Sequence, residues 1–542
     1  MRQLERSALY GCRTDVHGWT LHPDLFSRHI KKHAGVALHA AYLHQTFVTK
    51  RLPNGPDKAY WSDTISFFPA IKNHDHSLPP IPVANHQFLW QSIVPTVIPR
   101  AKDGSLPPPF HVTFDVTHLV SRLTVPTPTG IDRIDLAFAR HFAAEHVPGR
   151  QANVAGGLHY GLFGPFHRHS LRRTNRLVEL AEHFWQEKPG AGDENTLRLL
   201  TEWLASKPGA PLAISQGEPP RQSYLRKHQR SALMTMNRLA HSPQVKIPPG
   251  TVYLNIAQHI LEKPEKLRWL DSRPDLKKVF YIYDLLSIDF PEYFRPGNLD
   301  LFRRRLQTAS HHADAFLVSA EVVKERLQEE LTRMGARQRP IHVGHFPSPL
   351  ETAALQSTST IAGGHPYFVI VGTIEPRKNH LLLLQVWREM VEKSPDAPRL
   401  LIVGGRGWEC EQVVDMLERT PALKTHVAEV SGVPSVHLQQ LVRNARALLM
   451  PTFGEGYGLP IVEAMSVGTP AIASDIPVFR EIAQGCATLL SPLDGPGWQR
   501  AILELTDENS AATQAAKALA RRFVAPTWAN YFAGIEAFLA EL

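Results

Sequence analysis

Apolar and polar positions along this chain form two separate series of strand-like and helix-like segments. In the first series, short apolar runs bounded by turn residues predict buried strands at 110–117, 251–257, 277–286, 315–320 and 341–346. Longer stretches with apolar residues at helical spacing predict helices, among them those at 174–187, 194–206 and 223–240. Strands that alternate with helices indicate parallel sheet built from strand–helix–strand units.

A polar, turn-rich segment at about 355–366 separates the two series. The second series predicts strands at 367–373, 399–405, 425–430, 447–453, 470–474 and 487–491. Because helical segments alternate with these strands, the series predicts one doubly wound α/β domain. We therefore divide the chain into an N-terminal extension of unknown role, two Rossmann-like domains and a C-terminal helix, with bounds 1–107, 108–354, 355–522 and 523–542.

The composition is that of a globular protein without a disulfide framework. The chain of 542 residues is 43% apolar and 20% charged, which is typical of globular domains. Its three cysteines, Cys12, Cys410 and Cys486, are widely spaced, which argues against a zinc site of paired cysteines and favours a reducing compartment. The N-terminal segment lacks the apolar stretch of a signal peptide, and no apolar run reaches the roughly 18 residues that span a bilayer. We expect a cytoplasmic protein.

The net charge of +8 is unevenly distributed. Residues 351–542 hold 15 Lys and Arg against 20 Asp and Glu, a net charge of −5, so the remainder carries +13. A basic first part favours an anionic membrane surface or a phosphate-bearing acceptor as partner. Solvation of helix faces explains the same charges equally well. The chain has no nucleic-acid-binding motif, so we expect no nucleic-acid partner.

The stretch at 451–475 is the main candidate for chemistry. An apolar strand leads into a glycine loop with Glu455, and a helix that contains Glu463 follows. A helix N-terminus reached by a loop with little side-chain bulk binds anions, because free backbone N–H groups and the helix dipole point at the ligand. A carboxylate about one turn into the helix can accept hydrogen bonds from sugar hydroxyls. The pattern indicates a nucleotide-sugar site, although most glutamate pairs at this spacing are solvated surface charges.

Two further loops are candidates for the same ligand. Arg377 and Lys378 lie at the turn after the strand at 367–373, where cations would stabilise a diphosphate leaving group. An exposed Arg–Lys pair in a turn is the structural alternative. In the first domain, Thr129 and Asp132 fit a capping box around Gly130, so a second glycine loop opens a helix and offers another place for a phosphate. Capping boxes are common, and this loop alone is a weak signal.

These motifs resemble one enzyme family. The residues FGEGYGLPIVEAMSVGTPAIASD, together with EPRKN at 375–379, resemble the signature of the retaining glycosyltransferases of family four, which have the GT-B fold. That fold consists of two Rossmann-like domains that face a cleft, with a C-terminal helix that crosses back onto the first domain. The resemblance implies that Glu463 holds the donor ribose, that Glu455 lies near the donor hexose and that Lys378 contacts the diphosphate. Because Thr373 occupies the position where many members have arginine, Arg377 is the candidate for the second cation.

The resemblance extends to weaker positions. It implies a donor-binding role for the loop residues Gly456, Tyr457, Gly458, Leu459 and Gly130, and nucleobase recognition near Gly432 and Val433. On the acceptor side it implies roles for Arg133 and Asp284. Tyr283 stands where histidine is frequent, so a catalytic-histidine role does not transfer. A strand-end cap is the structural alternative for Asp284.

The function that the resemblance implies is transfer of a hexose with retention of configuration. The donor would be GDP-mannose or a UDP-sugar, and neither a metal nor another cofactor would be needed. The motif pairing resembles bacterial enzymes of surface polysaccharide synthesis, several of them mannosyltransferases. A glycan or a lipid-linked oligosaccharide is then the expected acceptor, with peripheral contact at the inner face of an anionic membrane. The alternatives are a sugar-nucleotide epimerase or phosphorylase on the same fold, and a non-catalytic member that binds a sugar nucleotide or a glycan.

Overall fold

A computed structural model describes most of the chain from residue 111 onward. The described ranges are 111–123, 128–143, 155–159, 166–186, 191–209, 211–212, 245–349 and 364–542. These ranges all belong to one compact unit that spans residues 107–542. The predicted extension at 1–107 and the predicted helix at 223–240 lie outside the described residues.

The first domain is built on a seven-stranded sheet with the strand order β3-β2-β1-β4-β5-β6-β7. Its strands are β1 (Val112–Asp115), β2 (Ala155–His159), β3 (Phe166–His169), β4 (Val252–Asn255), β5 (Lys277–Tyr281), β6 (Ala315–Val318) and β7 (Ile341–Val343). The β2–β3 pair is antiparallel and the other pairs are parallel. All residues of β1, β4 and β6 are buried, as expected of strands that are covered on both faces.

The hairpin of β2 and β3 is a feature that the apolar pattern did not predict. The segments AGGLH and FHRH contain few apolar residues, and neither forms a run that predicts a strand. They pair at the edge of the sheet, where β2 joins β1 through parallel hydrogen bonding. Backbone pairing with an existing strand therefore determines these two elements more than their own side chains do.

The second domain is built on a six-stranded, wholly parallel sheet with the order β10-β9-β8-β11-β12-β13. Its strands are β8 (Tyr367–Val371), β9 (Arg399–Val403), β10 (Val427–Val430), β11 (Leu448–Met450), β12 (Ala471–Ser474) and β13 (Thr488–Leu490). Counted within the domain, the order is 3-2-1-4-5-6, which is that of a doubly wound nucleotide-binding sheet. The first sheet has the same order in its first six strands. The predicted pair of Rossmann-like domains, and with it the GT-B organisation, is confirmed.

Helices cover the sheets and connect their strands. In the first domain they are α1 (Thr117–Arg122), α2 (Gly130–Ala143), α3 (Leu171–Gln186), α4 (Ala191–Ala205), α5 (Leu286–Asp289), α6 (Asn298–His312) and α7 (Glu321–Arg333). In the second domain they are α8 (His380–Lys393), α9 (Glu411–Arg419), α10 (Ser435–Asn444), α11 (Leu459–Ser466), α12 (Pro477–Ile482), α13 (Gly495–Glu504) and α14 (Ala511–Ala520). Among the described helices, none is both long and apolar enough to cross a membrane.

The last helix, α15 (Trp528–Ala540), packs against the first domain. The ring of Phe138 on α2 makes edge contacts with Tyr531 and Phe532, with centroids 5.8 and 5.3 Å apart. The ring of His141 stacks on Phe532 at 3.9 Å, and its Nε2 lies 2.8 Å from Oε1 of Glu536. Because α15 follows the second domain in the chain, these aromatic contacts tie the end of the chain back to α2.

Candidate functional site

The two sequence motifs of the second domain meet at the switch point of its sheet. Strands β8 and β11 are neighbours although they are far apart in the chain, and the strand order reverses between them. The loop after β8 carries Arg377 and Lys378, and the loop after β11 carries Glu455. In open parallel sheets, ligands bind in the crevice outside the carboxyl ends of the strands at this point.

The loop that carries the cations is held in one conformation by buried hydrogen bonds. Its turn, Pro376–Lys378, is a 3₁₀ helix, and Asn379 follows with a positive φ of 57°. Nδ2 of Asn379 donates to the carbonyl oxygens of Pro451 and Pro492, at 3.0 and 2.9 Å. The backbone N–H of Phe453 donates to the carbonyl of Arg377 at 2.9 Å. The two motifs thus form one rigid loop pair.

Glu455 is the centre of a buried ion cluster. Its Oε1 lies 2.9 Å from Nη1 of Arg377 and also accepts from Nζ of Lys378. Nη2 of Arg377 donates to Oε1 of Glu375 at 2.6 Å. Burial alone would raise the pKa of Glu455, but the charges of Arg377 and Lys378 outweigh burial and hold that pKa below its usual value. The carboxylate is therefore ionised at neutral pH and keeps both cations in place.

Glu463 lies on α11 and faces the first domain. It is only 6% exposed, and its Oε1 lies 3.9 Å from Nη1 of Arg133 on α2. Burial raises the pKa of Glu463, and the charge of Arg133 opposes this shift. The loop before α11 turns through Gly458, whose φ of 107° is a conformation that favours glycine. A buried carboxylate is thus held at the start of the cleft wall, one turn inside the helix.

The first residues of two helices, one from each domain, lie against each other. Gly130 is the first residue of α2 and Leu459 is the first residue of α11; a Cβ added to Gly130 would lie 2.9 Å from Cδ1 of Leu459. The predicted capping box is confirmed, because the backbone N–H of Thr129 donates to Oδ2 of Asp132 at 2.7 Å and that of Asp132 donates to Thr129 Oγ1 at 3.3 Å. The positive ends of both helix dipoles therefore lie close together where the two domains meet.

The loop with Gly456 packs directly on the first domain. A Cβ at Gly456 would lie 2.8 Å from the carbonyl oxygen of Tyr283 and from Cβ of Asp284, so only glycine fits. Oδ1 of Asp284 accepts the backbone N–H of Leu286 at 3.0 Å, which is the strand-end cap considered as its structural alternative. The hydroxyl of Tyr457, a residue expected at the donor, instead donates to the carbonyl of Phe346 at 3.0 Å. Its side chain joins the two domains.

The remaining predicted positions lie on the loop after β10. Gly432 has a positive φ of 70°, which explains glycine there, and Val433 is half-buried. Because the second sheet is parallel, this loop lies at the same edge as the loops after β8 and β11. Strand β10 is the outermost strand of the sheet, so Gly432 and Val433 lie on the side of the crevice away from β12 and β13.

The structure also places residues near the cleft that the sequence motifs did not indicate. His118 on α1 contacts two buried carboxylates of α2, with Nδ1 3.0 Å from Oδ2 of Asp135 and Nε2 3.6 Å from Oδ1 of Asp132. Burial would lower the pKa of His118, but the bond to Asp135 and the charges of both carboxylates raise it overall. His118 lies outside the recognised motifs, so the sequence did not indicate it as a site residue. Asp135 follows Gly130 on α2, and that position was the available signal.

Three polar atoms, on Asp135 and nearby residues, are buried. Among the residues that the structure describes, Oδ1 of Asp135, Nε of Arg133 and the hydroxyl of Tyr283 have no hydrogen-bond partner. Asp135 itself is only 1% exposed. Buried polar groups normally have partners, so an acceptor and two donors left open beside a cleft are complementary to ligand hydroxyls.

Comparison with known proteins finds a family match within the second domain. The family model described as glycosyl transferases group 1 matches residues 365–508, which contain both loops of the switch point. The matched residues include Glu455, Glu463, Arg377 and Lys378.

Curated relatives of the chain include bacterial mannosyltransferases. The serotype-specific mannosyltransferase WbdA of Escherichia coli is 32% identical over 220 residues, which are 38% of this chain and 27% of that protein. The O-antigen chain mannosyltransferase B of Escherichia coli is 32% identical over 30% of this chain and 43% of its own. The O-antigen chain mannosyltransferase RfbU of Salmonella typhimurium is 38% identical over 25% and 37%. The chain spans less than half the length of each of these relatives.

Solved structures align with the chain at low similarity. The α,α-trehalose 6-phosphate synthase of Burkholderia multivorans aligns over 80% of this chain and 97% of its own, with 14% identity and a TM-score of 0.46. This similarity is too low to support an argument. The fold is therefore identified from the strand order of the two sheets and not from this alignment.

Beside the cations, His380 on α8 makes the stability of the fold depend on pH. The side chain is buried, and neither ring nitrogen has a hydrogen-bond partner among the described residues. Burial, with the charge of Lys378, lowers the pKa of His380 to about 3. A histidine in the unfolded chain has a pKa of about 6.5, so between these values the unfolded state binds a proton that the folded state does not. The stability is therefore fully present above pH 6.5 and falls below it, by about 2 kcal/mol at pH 5.

In a His380→Leu variant, we expect this part of the pH dependence to disappear. Urea unfolding of both proteins at pH 7.5 and pH 5 measures it as the change in free energy of unfolding. Lys393→Ala, which removes an exposed charge at the end of the same helix, should keep the pH dependence of the parent protein. If the free energy of unfolding changes equally between the two pH values in His380→Leu and the parent protein, folding does not lower the pKa of His380.

Proposed function

We propose that the protein is a retaining, metal-independent glycosyltransferase that moves a hexose from a nucleoside diphosphate sugar to a glycan or lipid-linked acceptor in surface polysaccharide synthesis. The relatives named above are mannosyltransferases, so mannose from GDP-mannose is the first donor to test, and a UDP-sugar is the second. The observation that supports this function most is the convergence of Arg377, Lys378 and two helix N-termini on the switch point of a doubly wound sheet.

This convergence is suited to a diphosphate. Two fixed cations and the positive ends of α2 and α11 favour an anion, and the burial of the cation side chains strengthens each interaction. The negative charge of the diphosphate would replace Glu455 as part of the counter-charge for Lys378 and Arg377. One oxygen of Glu455 would then be free to accept a hydrogen bond from a hydroxyl of the hexose. Glu463 would accept hydrogen bonds from the ribose hydroxyls.

The chemical step follows from these positions. The bond between the anomeric carbon and the diphosphate oxygen breaks, and the electron pair leaves with the diphosphate, where Lys378 and Arg377 stabilise the new charge. The acceptor hydroxyl forms the new bond on the same face of the sugar, and its proton passes to the departing phosphate oxygen. Configuration is retained without a protein nucleophile, a metal or a second cofactor.

The test is an assay of the full chain with sugar nucleotides, with and without acceptor and with and without a chelator. We expect free nucleoside diphosphate in amounts that increase when a mannose-containing oligosaccharide or lipid-linked acceptor is added, equally in the presence of chelator. The anomeric configuration of the product is determined by NMR. Isomerised sugar nucleotide without release would show an epimerase, sugar 1-phosphate formed with added phosphate would show a phosphorylase, and binding without turnover would show a non-catalytic member.

On the acceptor side, we propose that His118, Asp135 and the hydroxyl of Tyr283 bind acceptor hydroxyls. A His118→Ala variant should lower the rate of transfer about 100-fold, which is the lower end of the range for losing a positioned proton-transfer group. The KM for the donor should stay near that of the parent protein, because the carboxylates that His118 contacts, Asp132 and Asp135, lie on α2 and not on the loop with Arg377 and Lys378.

His311→Ala is the matched control, since it removes an exposed histidine of the same domain. It should leave transfer unchanged. A rise in the donor KM of His118→Ala with no loss in kcat would contradict the acceptor-side role and place the histidine at the donor instead.

A further inference from the structure

Three side chains at the edge of the first sheet opposite the cleft form a second candidate site. Asp271 follows a 3₁₀ turn, Arg268–Leu270, and His311 and His312 are the last two residues of α6. Their ligand-forming atoms all lie within 4.8 Å of one another. Among the residues that the structure describes, no other group of three or more His, Cys, Asp or Glu side chains has its ligand-forming atoms this close together. Nothing in the proposed transfer reaction uses it.

The geometry is close to that of a zinc site. Oδ1 of Asp271 lies 3.3 Å from Nδ1 of His312 and 3.8 Å from Nε2 of His311. Two ligands of a tetrahedral zinc ion, each bonded at about 2.0–2.1 Å, are separated by roughly 3.3–3.5 Å. The first distance already fits, and the second requires a shift of a few tenths of an ångström by His311, whose side chain is exposed.

We propose that Asp271, His311 and His312 bind a divalent transition-metal ion, with zinc as the expected ion. Two imidazoles and one carboxylate form a donor set that suits zinc, whereas calcium and magnesium prefer oxygen ligands. Three protein ligands leave the fourth tetrahedral position to water. The side chains of Asp271 and His311 are 54% and 72% exposed, so the ion can enter and leave without unfolding of the domain.

The position of the site indicates what the ion would do. Strands β5 and β6 are parallel neighbours and start soon after Asp271 and His312, so the site lies at the amino ends of these strands. The cleft lies at the carboxyl ends, which are roughly 15 Å away for a five-residue strand. The ion would therefore clamp α6 to the segment before β5, about 40 residues apart in the chain, and would not act in catalysis.

The same contacts have an explanation without metal. Histidines in the last turn of a helix interact favourably with the helix dipole when they are protonated, and Asp271 would then be their counter-ion. The two explanations differ in one measurable respect. A metal site binds one additional zinc ion per chain, and an ion pair binds none.

The test uses the full chain after treatment with a chelator and removal of that chelator. Zinc chloride is titrated by calorimetry, and the bound metal is counted after equilibrium dialysis. We expect the parent protein to bind one more zinc ion than His311→Ala and Asp271→Asn, and its thermal midpoint to rise more on addition of zinc. In each variant the affinity of this site for zinc should fall at least about 10-fold. Removal of a residue that only hydrogen-bonds to a metal ligand already lowers metal affinity by about that factor. Cobalt bound in place of zinc should give a visible absorption spectrum of tetrahedral type that both variants lack.

His345→Ala is the matched control, because it removes a partly exposed histidine that contacts a single carboxylate, Glu481, at 2.7 Å. It should bind as much zinc as the parent protein. Equal zinc content and equal affinity in the parent protein, His311→Ala and Asp271→Asn would overturn the proposal. His311 is exposed, so His311→Ala keeps the test valid if Asp271→Asn fails to fold.

Discussion

Replacing Lys378 by alanine is expected to lower kcat for sugar transfer about 100- to 1,000-fold. The ammonium group lies in a buried cluster with Glu455 and Arg377, at the point where the leaving diphosphate would gain charge. Removal of one preorganised group that stabilises such charge costs roughly 3–4 kcal/mol in other enzymes. Because the charge develops only as the bond breaks, kcat should fall more than the affinity for the donor changes.

The measurement is steady-state kinetics of nucleoside diphosphate release with saturating acceptor. Lys393→Ala is the matched control, since Lys393 is the last residue of α8, the helix that follows the basic loop, and is exposed beside Glu389. It should keep full activity. Full activity in Lys378→Ala, with native unfolding behaviour, would remove the diphosphate role and with it the main support for the proposed function.

The second large effect is expected at Glu463, where alanine should weaken binding of the nucleoside diphosphate about 100-fold. Two hydrogen bonds from ribose hydroxyls to a carboxylate contribute about 3 kcal/mol together, which corresponds to about two orders of magnitude in the dissociation constant. Since the ribose is bound in the ground state and the transition state alike, the effect should appear in the dissociation constant and the donor KM, with a smaller change in kcat.

Calorimetry with GDP and UDP measures this effect directly. Glu418→Ala is the control, because Glu418 is an exposed carboxylate of the same domain that pairs with Arg406. Glu463→Gln should lose less than Glu463→Ala, since an amide oxygen still accepts one hydrogen bond. If Glu463→Ala binds both nucleotides like the parent protein, Glu463 serves only as the partner of Arg133.

Taken together, the variants separate the steps of the proposed reaction. Lys378→Ala tests the leaving group, Glu463→Ala tests donor binding and His118→Ala tests the acceptor side. Lys378→Ala and His118→Ala should act mainly on kcat, and Glu463→Ala should act mainly on the donor KM. The zinc site lies at the other edge of the first sheet, so His311→Ala should change metal content and leave all three kinetic properties unchanged.

The sequence by itself determined most of the second domain. Its strands are continuous apolar runs, because a parallel sheet buries both faces, and such runs are visible without a structure. The loop–helix with Glu455 and Glu463 and the basic loop with Arg377 were also visible, because glycine and proline mark positions where only those residues fit the backbone. The hairpin of β2 and β3 was missed, since pairing with β1 imposes strand geometry on segments with little apolar pattern of their own.

Only the tertiary structure decided which of these residues meet. Lys378 contacts Glu455 because β8 and β11 are neighbours in the sheet, and strand order cannot be calculated from local pattern. The hydroxyl of Tyr457 bonds to the first domain, although its place in the motif indicated the donor. His118 and Asp135 come together beside the cleft, and Asp271 meets His311 at the opposite edge, with no motif in either case. The local pattern of apolar residues predicts which face of an element is buried. Contacts between elements depend on the topology, which is a property of the whole folded chain.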